Sequence, residues 1–302
     1  MTKAPIALFV YNRPDHTRRT LEFLAKNDQA RQSNLYVFSD GPRSEKDESL
    51  VLEVREVIKD IEGFNKVEVI EKINNDGLAK SVIQGVTELC NAYGRVIVVE
   101  DDLVTSPYFL TYMNDALTTY ENDFEVMHVS GYMFPIEEIS SLPESFFLRM
   151  TSSWGWGTWN SAWNGFDPSA ERLLEKIRSA GHQKEFDIGD SIGYTRMLRR
   201  QMYGKIDSWA VRWYASVFLK DGLCLFPRES YVLNKGFDGS GVHCSDVDFY
   251  DVDLSTKKRV NFPRRIECNE RAFELLQDYY KKMRDPLYKK IISRAKKIFR
   301  DI

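Results

Sequence analysis

Three consecutive acids, Glu100, Asp101 and Asp102, end the apolar run Arg95-Val-Ile-Val-Val99. Val96 to Val99 have the β-branched character of a strand buried on both faces, as at the centre of a mainly parallel sheet. Carboxylates at the end of such a strand repel one another and lose water if they are enclosed. A divalent cation carrying a nucleotide diphosphate would offset that repulsion. The alternative is a solvated turn whose acids cap a helix starting near Ser106-Pro107. The triplet alone does not choose between the two.

All six tryptophans fall between Trp154 and Trp213. The segment Trp154-Gly-Trp-Gly-Thr-Trp159 is too glycine-rich to be a comfortable helix interior at its start. It reads either as aromatic core packing or as a platform on which a sugar ring or an acceptor stacks. Glycines beside aromatic rings permit close approach, which favours the platform. Gly236-Phe-Asp-Gly-Ser-Gly-Val-His243 is a glycine-rich loop ending in a lone histidine.

The elements that must position these groups alternate through the first third of the chain. Strands are expected over residues 6–11, 35–39, 67–71 and 96–99, with helices over 15–26 (opened by Pro14), 44–61 and 78–93. This rhythm specifies a parallel, helix-covered sheet with right-handed crossovers. Ligands bind such sheets outside the carboxyl ends of the strands. The loops there are Asn12-Arg13-Pro14, Ser39-Asp40-Gly41-Pro42, Asn74-Asn-Asp-Gly77 and the acid triplet, so all four converge on one edge. Further strands are expected at 126–130 and 145–150, and helices at 173–178, 194–203 and 211–219.

Bulk properties narrow the class. A chain of 302 residues with net charge −3 and 29% charged residues is an ordinary globular composition, not that of a nucleic-acid binder or a disordered chain. Cys90, Cys224, Cys244 and Cys268 are scattered without a CxxC pair, consistent with reduced thiols and a cytoplasmic setting. The apolar run near the N-terminus is too short for a signal peptide, and no run approaches transmembrane length. From 280 to 302 the chain carries nine Lys or Arg against two Asp. Leu287, Ile291, Ile292, Ala295, Ile298 and Phe299 recur there at helical spacing. Such a tail either lies on an anionic membrane surface or docks on its own domain.

Together, Tyr-Asn-Arg-Pro after the first strand, Ser-Asp-Gly after the second, the Asn-x-Gly-Leu-Ala turn and Glu-Asp-Asp after the fourth resemble a GT-A glycosyltransferase. The nearest type is N-acetylglucosaminyltransferase I with its bacterial relatives in polysaccharide assembly. The likeness covers roughly residues 4–245. It implies an α/β fold, Rossmann-like and mainly parallel with flanking helices. The expected organisation is a domain over 1–262 (a nucleotide-sugar half at 1–120, an acceptor-side half at 121–262) and a basic helical tail at 263–302.

The resemblance also implies residue roles. Asp40 would bond the uracil ring, and Arg13 beside Asn12 would meet the diphosphate. Gly77 and Trp156 would line the donor site. Asp102 would ligate Mn²⁺ or Mg²⁺, Asp101 would face the ribose and Glu100 the donor sugar. His243 matches a histidine that ligates the metal in many GT-A enzymes. Asp207, in Ile206-Asp-Ser-Trp, resembles the family's catalytic aspartate, although one acid stands where the family has two. It is either the general base or a cap of the helix through Val211.

The expected activity is inverting transfer of a sugar, N-acetylglucosamine first, from a UDP-sugar to a glycan or lipid-linked glycan, at the cytoplasmic face of the membrane. Rivals are a nucleotidyltransferase and a catalytically silent sugar-nucleotide or glycan-binding module. A nucleotidyltransferase would show a glycine-rich phosphate loop after the first strand, where this chain has Tyr-Asn-Arg-Pro. A Rossmann dehydrogenase needs G-x-G-x-x-G there, which is missing too.

Overall fold

The computed structural model describes residues 3–237 and 250–284. Among them the strands are β1 (Ile6–Val10), β2 (Asn34–Ser39), β3 (Lys66–Glu71), β4 (Arg95–Glu100), β5 (Leu103–Thr105), β6 (Val126–Ser130), β7 (Ser145–Leu148), β8 (Trp156–Trp159), β9 (Leu223–Pro227) and β10 (Val232–Asn234). The helices are α1 (Pro14–Ala25), α2 (Glu45–Lys59), α3 (Leu78–Tyr93), α4 (Phe109–Thr119), α5 (Asn160–Trp163), α6 (Ala170–Ser179), α7 (Gln183–Phe186), α8 (Tyr194–Met202), α9 (Trp209–Phe218) and α10 (Glu270–Arg284).

Eight strands form one sheet in the order β3-β2-β1-β4-β8-β6-β9-β7. The first four are mutually parallel, and β6 and β9 run with them; β8 and β7 run against. The expected mixed, mainly parallel and helix-flanked sheet is therefore present. Parallel pairing puts the carboxyl ends of β1 to β4 on one edge, where the chain exits into its polar loops.

Alternation along the strands feeds two cores. Ile6, Leu8, Val37, Ile97 and Val99 face Leu24 of α1, Val54 and Ile58 of α2, and α4. Ala7, Phe9, Phe38, Val96 and Val98 face α3, α5 and α9. The two interiors differ in chemistry. The first is mainly aliphatic along the parallel strands, whereas the second holds Trp156, Trp163, Trp209 and Trp213. Burying both faces of the central strands explains their unbroken apolar runs.

Two expectations change here. The helix expected near Ser106-Pro107 is present as α4, but the acids do not cap it. The acids lead instead into the short strand β5, which pairs antiparallel with β10, Asn234 opposite Leu103. Helix α4 begins only at Phe109 and has no acid in its first turn. The capping alternative for the triplet is thereby removed. The second change concerns Trp154-Gly-Trp-Gly-Thr-Trp159, whose latter part is strand β8 at the middle of the sheet, bonded to β4 and β6.

The described part of the C-terminal region packs on the domain. Ala272, Leu275, Leu276 and Tyr280 of α10 are buried in the first core, with the Tyr280 ring against Phe134 at 5.4 Å. The apolar positions from Leu287 to Phe299 lie outside the described residues. No described helix is long and apolar enough to cross a membrane.

Candidate functional site

Strand β4 delivers its acids to the edge beside β1, with Glu100 paired to Phe9. Glu100 continues the face of Val96 and Val98, toward the tryptophan side, and is part-buried. Asp101 is buried, and its backbone carbonyl accepts from Thr20 Oγ1 of α1 at 2.7 Å. Asp102 meets Arg13 from the neighbouring strand end: Arg13 Nη1 donates to Asp102 Oδ2 at 2.9 Å and lies 3.9 Å from Asp101 Oδ1.

The β5–β10 ribbon closes the other side. Lys235 N donates to the Asp102 carbonyl at 2.8 Å. Gly236 N donates to Asn234 Oδ1 at 2.7 Å. The Gly236 backbone comes so close to the Asp102 carboxylate that a Cβ there would collide with Oδ2. A larger residue at 236 would displace the Asp102 carboxylate from this position.

Enclosure strains the acids electrostatically. Burial, followed by the charges of Asp102 and Asp101, raises Glu100 well above the ordinary carboxylate range; Arg13 opposes the shift. Burial and the Asp102 charge push Asp101 up to about 7, against the pull of Arg13 and two backbone N–H groups. One guanidinium does not neutralise three carboxylates. Asp102 Oδ1 is buried with no hydrogen-bond partner among the described residues. A buried carboxylate oxygen without a donor is costly, and a cation would satisfy it. The residues present therefore fit a divalent ion held by one protein carboxylate. They do not form a complete protein cage, since no group of three or more His, Cys, Asp or Glu among the described residues could hold a metal.

Asp40 is close to this edge but occupied. Its Oδ1 accepts from Gly41 N at 3.0 Å and Asp76 N at 2.9 Å. Its Oδ2 accepts from Gly77 N at 2.8 Å and Asn75 Nδ2 at 3.1 Å. A carboxylate offers about four lone-pair directions, and the chain takes four hydrogen bonds. Its carboxylate clamps the loop after β3 to the loop after β2, and the uracil contact expected of Asp40 would have to displace one of these donors. Gly77 contributes as one of the clamped donors. A Cβ on Gly41 would run into the Ile73 carbonyl at 2.5 Å, so the two loops touch backbone to backbone. Asn12 is likewise engaged, donating through Nδ2 to Asp47 Oδ1 of α2 at 3.0 Å.

Trp156 also differs from expectation. It is fully buried, stacked on His128 at 5.1 Å and on Trp209 at 5.0 Å. A ring with no accessible face cannot stack a ligand, so its expected place in the donor pocket is corrected to the core. His128 beneath it accepts from Trp213 Nε1 at 3.0 Å. Burial lowers its pKa to about 3, so this imidazole is neutral. Trp154 is the part-exposed member of the block. It meets Phe237 edge-on at 5.5 Å and Tyr250 at 5.2 Å, directly after the Gly236 contact with Asp102. The sequence offered the whole block as a platform and singled out Trp156, whereas Trp154 is the tryptophan of the block left part-exposed.

Asp207 precedes α9 but does not cap it; Ser208 Oγ accepts from Val211 N in that role. Asp207 is 62% exposed and pairs with the largely buried Arg212, Nη2 to Oδ1 at 3.0 Å. Arg212 Nε is anchored on the Ser208 carbonyl at 3.0 Å. Trp209, two residues on, stacks on Trp156, which pairs with Val98 two residues before Glu100. That chain of contacts puts Asp207 toward the triplet's end of the sheet without direct contact between them. His243 lies outside the described residues. Asn75 and Thr20, the residues that hold Asp40's loop and Asp101, had no sequence signal beyond lying near a turn and on a helix.

No protein-family model matches the chain, and no curated protein matches it. Among solved structures it is similar to mannosyltransferase PcManGT from Pyrobaculum calidifontis, in complex with GDP-Man and Mn²⁺, at 12% identity and TM-score 0.36, covering 71% of this chain and 73% of that one. It is also similar to a cytidylyltransferase from Leptospira borgpetersenii (14%, TM-score 0.34, 55% of this chain and 64% of that one). A third is glucosyl-3-phosphoglycerate synthase from Mycobacterium tuberculosis with Mn²⁺, UDP and glucosyl-3-phosphoglycerate (10%, TM-score 0.35, 60% and 67%). Likenesses this loose carry no argument about what this chain binds or does.

Proposed function

We propose that this chain is an inverting, metal-dependent glycosyltransferase of the GT-A class, using a UDP-sugar and a glycan or lipid-linked glycan acceptor. One observation carries the reading: Asp102 ends the central strand beside Arg13 with a buried, unpartnered carboxylate oxygen. Enclosed negative charge at this edge, with one guanidinium beside it, suits a metal diphosphate.

Asp102 would hold Mn²⁺ or Mg²⁺, with His243 as a candidate second ligand. When bound, the ion supplies Lewis-acid neutralisation of charge on the departing diphosphate. Arg13 would turn its guanidinium from Asp102 toward phosphate oxygens. Asp101 would face the ribose and Glu100 the donor sugar. The backbone of the Asp40-clamped loops, rather than Asp40 itself, would read the base. Trp154 and Phe237 would flank the acceptor sugar.

Asp207 would act as general base. The acceptor hydroxyl oxygen bonds to the anomeric carbon, the carbon–oxygen bond to UDP breaks on the opposite face, and the hydroxyl proton passes to the Asp207 carboxylate. Arg212 fixes that carboxylate's orientation. N-acetylglucosamine as donor sugar, polysaccharide assembly as setting, and a cytoplasmic site peripheral to the membrane through residues 280–302 belong to the same proposal.

A thermal-shift screen of nucleotide sugars with Mn²⁺ and with EDTA tests it. A rise in Tm of several degrees with one UDP-sugar, present only with Mn²⁺, is expected from ligand linkage. No rise with any nucleotide sugar in either condition overturns the enzyme reading.

A further inference from the structure

Helix α8 carries a face that its own domain does not use. Arg196, Arg199, Arg200 and Tyr203 follow at i, i+3, i+4 and i+7, one stripe of a helix. All four are exposed, Tyr203 at 65%. Lys205 follows, also exposed, and no Asp or Glu occurs from 194 to 205. The opposite side buries Leu198 completely and rests Tyr194, Met197 and Met202 on the core.

None of Arg196, Arg199, Arg200 and Lys205 makes an ion pair among the described residues, whereas nearby Arg172 and Arg212 each hold an aspartate. The helix itself explains only part of the stripe. Arg199 and Arg200 stand in the last turn, where a cation complements the helix dipole. Arg196 stands in the first turn, where the dipole opposes it, and lies four residues from the like charge of Arg200.

The stripe adjoins two other features. Arg284 Nη1 at the end of α10 donates to the Asp190 carbonyl at 2.7 Å, on the loop leading into α8. The last turn of α10, which carries Lys281 and Arg284, thus touches the loop before α8, with Lys281 itself paired to Asp278. Gln201 links the helix to Asp207 and Ser208, with Ser208 N donating to Gln201 Oε1 at 2.6 Å.

We propose that this face of α8 seats the protein on an anionic lipid surface, guanidinium groups on lipid phosphates and the Tyr203 ring at headgroup depth. The side chains diverge along a helix for roughly 10 Å instead of converging on one phosphate. An exposed aromatic ring among arginines suits the interface between water and lipid. The seat would put the rim carrying Asp207 toward lipid-borne acceptors, but it stands whether or not Asp207 is a base.

The test is co-sedimentation of the full chain with vesicles of phosphatidylglycerol and phosphatidylcholine, against phosphatidylcholine alone. Wild type should bind the anionic vesicles, more weakly at high salt. The triple variant R196Q/R199Q/R200Q should lose on the order of 100-fold in partitioning, from about 5-fold per arginine, with its circular dichroism and nucleotide-sugar thermal shift unchanged. Tyr203→Ser should weaken binding without altering its salt dependence. Failure of the triple variant to fold is covered by R196Q alone, expected to lose about 5-fold. Equal binding by wild type and both arginine variants, no binding by wild type, or capture of heparin but not vesicles each overturns the proposal. An absent nucleotide-sugar shift would defeat the enzyme reading alone and leave this result standing.

Discussion

Arg13 Nη1 and Asp102 Oδ2 sit 2.9 Å apart across the ends of two neighbouring parallel strands. Arg13 is thus the internal cation of the acid cluster and a competitor of any metal for the same carboxylate. Arg13→Gln should destabilise the metal-free chain by about 1–3 kcal/mol, because it leaves buried charge less compensated. Mn²⁺ should then stabilise this variant more than it stabilises wild type. Asp102→Ala should abolish Mn²⁺-dependent UDP-sugar binding with the fold retained. Calorimetry showing undiminished binding would defeat the metal assignment.

The cluster also predicts a pH dependence. Asp101, pushed up to about 7 from an ordinary 3.8, and Glu100, raised in the same direction, hold protons in the folded chain that the unfolded chain has released. Stability of the metal-free protein therefore falls as pH rises from about 4 through about 7. Urea midpoints in EDTA should be lower near pH 7.5 than near pH 5, and saturating Mn²⁺ should narrow the gap by replacing the proton. A metal-free midpoint independent of pH would mean that the acids are better solvated than their burial indicates.

Asp207→Asn preserves shape and removes the carboxylate proposed as proton acceptor. Donor affinity should stay within a few-fold, while transfer falls by about 10²–10⁴. Arg212→Lys, which keeps the charge and loses the fork on the Ser208 carbonyl, should lower kcat less than Asp207→Asn does. Near-normal turnover in Asp207→Asn would remove this residue as base.

For Asp40, direct reading of a base and clamping of a loop predict different outcomes. Asp40→Asn puts an amide donor among groups that already donate. It should cost about 1–3 kcal/mol in urea unfolding and weaken all nucleotide sugars alike. A change in base preference at unchanged stability would restore the direct contact.

Much of the architecture was legible because the relevant signals are local. Helical periodicity and the Pro14 start locate α1, and the apolar runs locate β1, β2 and β4 to within a residue or two. What escaped was set by distant partners. Strand β5 is three residues long and exists because β10 pairs with it, which no short window reveals. Asp40 looked like a ligand contact because its four donors come chiefly from another loop. Trp156 and Trp154 share composition and neighbours; only the position of β8 inside the sheet decides which one is sealed. That the triplet concentrates negative charge at a strand end was readable from the sequence, whereas its enclosure by Gly236 was not.

The pairing of Lys235 N with the Asp102 carbonyl has a temporal side. The acids are synthesised early, with the parallel strands, but their far wall arrives only when the chain returns through β10. Contacts of such long sequence separation form slowly. A nascent or C-terminally truncated chain would carry the triplet open to water, able to collect free ions yet without a shaped pocket around them. Enclosure of the acids is therefore a late event, gained only after most of the chain has been made and folded.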